Sequence, residues 1–151
     1  MNSPKHALEV LKETSRTFYI PISRLPDGLL EAVASAYLLM RAIDEIEDHP
    51  QLTNETKARL LRSLSLNFQG GTEQSGASDF VAGLQADSIL LPEVSLRAGE
   101  WAVMAPPTIA PRIWDATATM ADRMAYWAER NWAVHSKTDL DRYTFSVAGA
   151  V

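Results

Sequence analysis

Cysteine is absent from this 151-residue sequence, which excludes disulfide bonds, cysteine-ligated zinc and a thiol nucleophile. The three histidines, His6, His49 and His135, are isolated and lack the paired spacing of a histidine-ligated metal site. We therefore expect them to be surface or capping residues. Any chemistry must depend on carboxylates, guanidinium groups, hydroxyls and aromatic rings.

Long apolar runs and clusters of basic residues are also lacking. No window approaches the roughly 18 apolar residues that span a bilayer, and the N-terminal residues have no signal-peptide core. The 14 lysines and arginines are scattered and are outnumbered by 19 acidic residues, so the net charge is −5. This charge balance argues against nucleic acid as a partner. A cytoplasmic location is expected.

The apolar residues, 46% of the sequence, recur mostly with helical spacing, which predicts an all-α fold. The segment T-F-Y-I-P-I-S-R-L-P, residues 17–26, carries two prolines and is predicted to be an extended connector. Asp27 is predicted to cap a helix that ends near Asp48. Thr53 is predicted to cap the next helix, which continues to about residue 68.

The second half of the sequence is predicted to be helical as well. The predicted elements are a polar, glycine-rich loop over 69–78, short helical pieces over 79–105 broken by Pro92 and Gly99, a long helix over 112–132, and a last helix from Thr138 or Asp139. This last helix is still apolar where the sequence stops at Val151. We expect residues 1–151 to form one helical domain that is part of a longer protein.

The segment R-A-I-D-E-I-E-D-H-P, residues 41–50, places four carboxylates within five positions. Asp44 and Asp48 are four residues apart, so on a helix they share a face and repel each other. An ordinary acidic helix end is one interpretation, in which Arg41 pairs with Asp44 and water solvates the other acids.

The position of these acids at a helix C-terminus favours a second interpretation, in which they bind a cation. The helix dipole is unfavourable for acids at that end, and a bound cation would offset the cost. Mg²⁺ takes oxygen ligands and is typically held by one or two carboxylates together with substrate phosphates. Asp44 and Asp48 are the predicted ligands, Glu47 is a predicted auxiliary, and Glu45 is expected to face solvent.

The segment T-S-R-T-F, residues 14–18, is a second polar cluster. Its guanidinium, Arg16, and the neighbouring hydroxyl of Thr17 are groups that bind phosphate oxygens. On its own, such a short polar segment is more typical of a helix-end turn. Together with the acidic segment, it predicts a site for a metal-bridged diphosphate.

Three segments, taken in order, resemble the squalene/phytoene synthases, which join two isoprenyl diphosphates head to head. These segments are T-S-R-T-F-Y-I-P-I-S-R-L-P, A-Y-L-L-M-R-A-I-D-E-I-E-D and Y-T-F-S-V-A-G-A-V. The resemblance implies the helical isoprenoid-synthase fold and a Mg²⁺-dependent prenyltransferase. It covers essentially the whole chain but only about the first half of the family's fold.

The resemblance also implies polar roles. Asp44 and Asp48 match the first aspartate-rich motif, which binds Mg²⁺ and a substrate diphosphate. Arg41 matches a basic residue that contacts the diphosphate and acts in catalysis. Arg16 and Thr17 match the basic and hydroxyl positions of the family's first motif.

Aromatic and small residues complete the implied site. Phe18 and Tyr37 match residues that line the prenyl pocket, and Tyr143 matches a catalytic tyrosine at the start of the third motif. Val147 and Ala148 match its tunnel-lining end. An aromatic face can stabilise a passing carbocation, although a single aromatic residue is more often plain core.

The second aspartate-rich motif of the family is not present in this sequence, so we expect the chain by itself to have little or no synthase activity. The implied substrate is farnesyl or geranylgeranyl diphosphate, and peripheral contact with a membrane is expected for release of an apolar product. Use of NADPH is left open. Two alternatives also remain: a prenyl diphosphate phosphatase on the same scaffold, and a non-catalytic helical binding module.

Overall fold

The structure, a computed structural model, describes residues 4–70 and 91–149, and over these ranges the regular elements are helical, as predicted. The elements are α1 (Pro4–Thr14), α2 (Arg16–Ile22), α3 (Leu29–Glu47), α4 (Asn54–Gln69), α5 (Glu93–Leu96), α6 (Ala98–Ala102), α7 (Ala110–Glu129), α8 (Lys137–Thr144) and a π-helical turn (Phe145–Gly149). Most of the predicted 69–78 loop, and the first part of the 79–105 segment, lie outside the described residues.

Helix α3 is the central element and carries the acidic segment. It packs against α1, α4, α5, α6 and α7, and its buried face includes Leu38, Leu39, Ile43 and Ile46. Its N-cap is Gly28, with φ 83, and the Glu31 carboxylate accepts a hydrogen bond from the Gly28 N–H. The prediction that Asp27 is the cap is therefore wrong by one residue, because a left-handed conformation at the turn favours glycine.

Helices α4 and α7 pack along each other and form the largest helix–helix contact among the described elements. The predicted cap of α4 is confirmed: the Thr53 hydroxyl accepts a hydrogen bond from the Thr56 N–H at 3.2 Å. Leu60, Leu61 and Leu64 of α4 are buried. Both helices of this pair also pack against α3.

Three buried serine hydroxyls tie helices to one another. Each donates to a backbone carbonyl of another helix, and the pairs are Ser35 to Trp101 at 2.7 Å, Ser65 to Ala118 at 2.8 Å and Ser95 to Ala42 at 2.9 Å. A serine is small enough to let two helices approach and polar enough to need a partner when buried. These bonds fix α3 and α7 relative to their neighbours.

The predicted connector over residues 17–26 is wrong in its first half, because residues 16–22 form α2. The Ser15 hydroxyl caps this helix by accepting from the Phe18 N–H at 3.2 Å, and Pro21 lies inside its last turn. Pro21 cannot donate a backbone hydrogen bond within the helix, which is unfavourable. Burial of the Ile22 side chain in the core favours the helical conformation and outweighs this loss.

Gly99 likewise does not break a helix, since it lies within α6. The interruption falls instead at Arg97, between α5 and α6.

The last two helices differ from the prediction at their ends. Helix α7 ends at Glu129, because Asn131 and Trp132 adopt left-handed conformations with φ 52 and φ 50. Helix α8 starts at Lys137, where the Ser136 hydroxyl accepts from the Asp139 N–H at 3.1 Å. After Thr144 the chain continues as the π-helical turn rather than as an α-helix.

Candidate functional site

A cavity of about 880 Å³ lies between α2, α3, α7 and the π-helical turn. Its wall is mainly apolar, and its charged members are Arg41, Asp44 and Arg112. The residues that line it are Phe18, Pro21, Ile22, Leu25, Val33, Ala36, Tyr37, Met40, Arg41, Asp44, Arg112, Ile113, Ala116, Met120, Val147 and Ala148. An apolar cavity with few polar groups is the usual form of a small-molecule site.

Six of the predicted site residues line this cavity: Phe18, Tyr37, Arg41, Asp44, Val147 and Ala148. They come from three separate segments of the sequence, which the fold brings together. The rings of Phe18 and Tyr37 lie 5.4 Å apart, tilted by 42°. Phe18 is 54% exposed, so its ring is accessible from solvent as well as from the cavity.

Arg41 pairs with Glu45, one turn further along α3. Its Nη2 donates to the Glu45 carboxylate, while its Nε is buried and has no hydrogen-bond partner. Glu45, which was expected to face solvent, is partly exposed and also pairs with Arg41, because the four-residue spacing places the two side chains on the same face. Arg41 itself lines the cavity, and a guanidinium on a cavity wall is suited to an anionic ligand.

The acidic end of α3 places Asp44 at the cavity and Asp48 one turn beyond it, at the C-cap and exposed. Burial raises the pKa of Asp44 to about 6, opposed by Arg41 and reinforced by the charges of Asp48 and Glu45. An ionised Asp44 is thus costly without a counter-charge. Two carboxylates, with water and a diphosphate as further ligands, are a donor set that fits Mg²⁺.

Glu47 is oriented by a tryptophan from another part of the chain. The indole N–H of Trp132 donates to Glu47 Oε1 at 2.8 Å. Within residues 4–70 and 91–149, no three acidic or histidine side chains are grouped closely enough to hold a metal ion. The acidic segment therefore presents a pair of candidate ligands, Asp44 and Asp48, with Glu47 held by a different partner.

Arg16 and Thr17 do not line the cavity. Both are exposed on α2, and Arg16 borders a separate surface depression with Glu9, Lys12 and Glu13. Neither residue therefore shares the cavity wall with Arg41 and Asp44.

Tyr143 is likewise not among the cavity-lining residues. Its ring contacts that of Trp127 edge-on, 5.5 Å between centroids. Burial, with the nearby charges of Glu47 and Asp48, raises the pKa of its phenol. Tyr143 therefore lies beside the acidic end of α3 rather than on the apolar wall.

Sequence reasoning missed the wall that α7 contributes. Arg112, Ile113, Ala116 and Met120 line the cavity, and three of them recur at intervals of four residues. That spacing is a recognisable helical stripe. It was obscured by the larger apolar stripe that faces α4 and the core.

Among the residues that the structure describes, no helix is long and apolar enough to cross a membrane.

Comparison with known proteins gives one consistent result. The family model for squalene/phytoene synthase matches residues 11–151. The chain is 30% identical to a squalene synthase of Schizosaccharomyces pombe over 97% of its length, and 31% identical to a squalene synthase of Rattus norvegicus over 99%. It covers 32% and 34% of those proteins, respectively, so it spans about a third of the length of the curated relatives that it matches.

Proposed function

Because the chain belongs to the squalene/phytoene synthase family, we propose that it forms a binding half-site for an isoprenyl diphosphate in an enzyme that condenses two such molecules head to head. One observation carries this proposal: Arg41 and Asp44 lie on the wall of a single apolar cavity. A prenyl chain needs the apolar wall, and its diphosphate needs the charged groups.

Each part of the cavity would have a distinct task. The apolar side chains bind the prenyl chain and exclude water, which protects a reactive carbocation. The faces of Phe18 and Tyr37 stabilise positive charge near the reacting carbons. Tyr143, whose ring packs against Trp127, would be a catalytic residue beside the acidic end of α3.

The charged residues would handle the diphosphate. Arg41, which lines the cavity, donates hydrogen bonds to it through its guanidinium group. Asp44 and Asp48 hold Mg²⁺, which when bound neutralises charge on the leaving diphosphate. Arg16 and Thr17, which do not line the cavity, stay predicted contacts of the diphosphate.

The substrate proposed is farnesyl or geranylgeranyl diphosphate. The chain by itself is expected to bind such a substrate without condensing two molecules. In a protein of the full length of its relatives, the exposed apolar side chains of Phe18 and Ile20 on α2 would favour contact with a membrane surface that receives the product.

Binding of a non-hydrolysable farnesyl diphosphate analogue, with and without Mg²⁺, tests the half-site. We expect Mg²⁺ to strengthen binding, and Asp44→Ala and Asp48→Ala to abolish that dependence. Asp122→Ala is a matched control, because Asp122 pairs with Arg62 away from the cavity. Binding that is indifferent to Mg²⁺ and to both variants would refute the proposed metal site.

Product analysis distinguishes the reaction type. A protein of full family length is incubated with labelled farnesyl diphosphate, with and without NADPH. A C30 hydrocarbon supports head-to-head condensation, whereas farnesol alone indicates a phosphatase.

A further inference from the structure

A corner of the fold that no predicted motif includes lies next to the acidic segment. It consists of Asn131 and Trp132, which follow α7, and we call it the tryptophan corner. The Trp132 indole donates to Glu47 Oε1 at 2.8 Å, and Lys57 of α4 lies 5.2 Å from the indole centroid. The corner thus connects the ends of α3, α4 and α7.

The backbone at the corner is strained. Asn131 and Trp132 have φ 52 and φ 50, in the left-handed region that residues other than glycine seldom occupy, and a bulky residue there is an outlier. Such a conformation is energetically unfavourable and persists where surrounding contacts determine it. Two consecutive residues in this conformation imply strong local contacts.

The contacts that hold the corner are polar and directional. The Asn54 side-chain amide donates to Asn131 Oδ1 at 2.6 Å, and the indole N–H of Trp132 donates to Glu47 Oε1. Lys57 is 9% exposed, and its ammonium faces the indole ring. The strained backbone therefore orients the Trp132 N–H toward the carboxylate of Glu47.

Glu47 is the residue between the corner and the proposed Mg²⁺ pair. It lies three residues after Asp44 and directly before Asp48. Its Oε1 is occupied by Trp132, and Oε2 takes no part in that bond. Glu47 therefore lies in the same turn of α3 as the two proposed ligands, and Trp132 fixes the orientation of its carboxylate there.

We propose that Trp132 is a positioning residue of the metal half-site, whose indole N–H fixes the orientation of the Glu47 carboxylate beside Asp44 and Asp48, the residues that would hold the cation. This inference rests on the proposed function, because it requires Mg²⁺ at Asp44 and Asp48. Hydrogen-bonded partners of this kind orient ligands around metals, and their loss typically costs 10–100-fold in metal affinity.

Trp132→Phe tests the proposal with little change in packing, because the benzyl ring remains over Lys57 while the N–H donor is lost. The measurement is Mg²⁺ affinity in the presence of inorganic diphosphate, and we expect a loss of about 10-fold. Glu47→Gln provides a second variant in case the first is unstable, since its amide oxygen still accepts from the indole. We expect a similar loss from that variant, and no further loss when both substitutions are combined.

Trp114→Phe is the matched control. Its indole also donates one hydrogen bond, to the Ala102 carbonyl at 2.8 Å, but away from the acidic segment. This variant should leave Mg²⁺ affinity unchanged.

The signal of the Trp132 indole proton in NMR spectra gives a readout that a purely structural role would not move. It should shift on addition of Mg²⁺ in the native chain but not in Asp44→Asn. Mg²⁺ affinity unaffected by both Trp132→Phe and Glu47→Gln would overturn this inference alone. No Mg²⁺ binding by the native chain, with diphosphate present, would overturn the proposed metal site and this inference with it.

Discussion

The guanidinium of Arg41 donates through Nη2 to Glu45, and not to Asp44 three residues along the chain. Asp44 therefore lies half-buried beside a second acid, Asp48, without a direct hydrogen bond from Arg41. Burial makes an ionised Asp44 unfavourable for folding, because the charge of Arg41 offsets that cost only in part, and the effect can be measured as a function of pH.

Asp44 should destabilise the metal-free fold at neutral pH. Its pKa is about 6 in the folded chain and 3.8 as the ordinary value, so between these values the folded state binds more protons than the unfolded state. The contribution of Asp44 to the free energy of unfolding then falls as pH rises from about 4 to 6. Asp44→Asn should raise the free energy of unfolding at pH 7 by about 1–2 kcal/mol, after allowance for partial exposure.

Urea unfolding at pH 7 and below pH 4 measures this effect, since the gain from Asp44→Asn should be present at pH 7 and vanish in acid. Asp139→Asn is the control of opposite sign. The Ser136 hydroxyl lowers the pKa of Asp139, so losing that carboxylate should weaken the fold at pH 7. A native chain as stable as Asp44→Asn at both pH values would contradict the assignment.

Arg41 should contribute to diphosphate binding and little to stability. Arg41→Gln removes a charged donor from the cavity wall, and hydrogen bonds to charged groups contribute about 1.5–3 kcal/mol. We expect roughly 10-fold or more loss of affinity for inorganic diphosphate by calorimetry. Arg62→Gln is the control, because Arg62 pairs with Glu129 and Asp122 on the far side of α7 and should leave binding unchanged.

The apolar wall should determine prenyl binding without affecting the diphosphate contacts. Ala116→Phe places a ring into the cavity from α7, so affinity for a farnesyl diphosphate analogue should fall about 10-fold or more, by analogy with the cost of overpacking. Affinity for inorganic diphosphate should stay the same. Thr108→Phe, in the exposed turn before α7, is the control. Equal losses for both ligands would show that the prenyl chain does not enter this cavity.

The buried serine ties should have a measurable effect on stability. Ser65→Ala removes the hydroxyl that donates to the Ala118 carbonyl and leaves that carbonyl without this partner. We expect a loss of about 1–2 kcal/mol in the free energy of unfolding. Ser63→Ala, two residues earlier on the half-buried side of α4, should cost less. Chemical denaturation of both variants provides the comparison.

The main helices could be predicted because their signals are local. Thr53 caps α4, and apolar residues with helical spacing extend from Leu30 to Ile46 in α3. Both signals can be read from neighbouring residues in the sequence. The winding of α2 could not be predicted, since Pro21 locally disfavours a helix and only burial of Ile22 against the core compensates. Local rules do not contain that tertiary contact.

The site divides in the same way. Asp44 and Arg41 share a helix, so their spacing predicts that they are close. The contact between Trp132 and Glu47 joins residues 85 positions apart and requires a left-handed corner that no common turn motif announces. Arg16 was predicted to bind the diphosphate because it lies in the T-S-R-T-F segment. Its position on the exposed side of α2 depends on how that helix packs, which the segment does not specify.

The π-helical turn at Phe145–Gly149 determines the directions in which Val147 and Ala148 point. A π-helix accommodates one more residue between hydrogen-bonded groups than an α-helix does, and each α-helical residue corresponds to about 100° of rotation. If the same residues were wound as a continuation of α8, Val147 and Ala148 would rotate away from the cavity that they now line. In this segment a single-residue deletion would therefore be more disruptive than most substitutions, because it would change the directions of both Val147 and Ala148 at once.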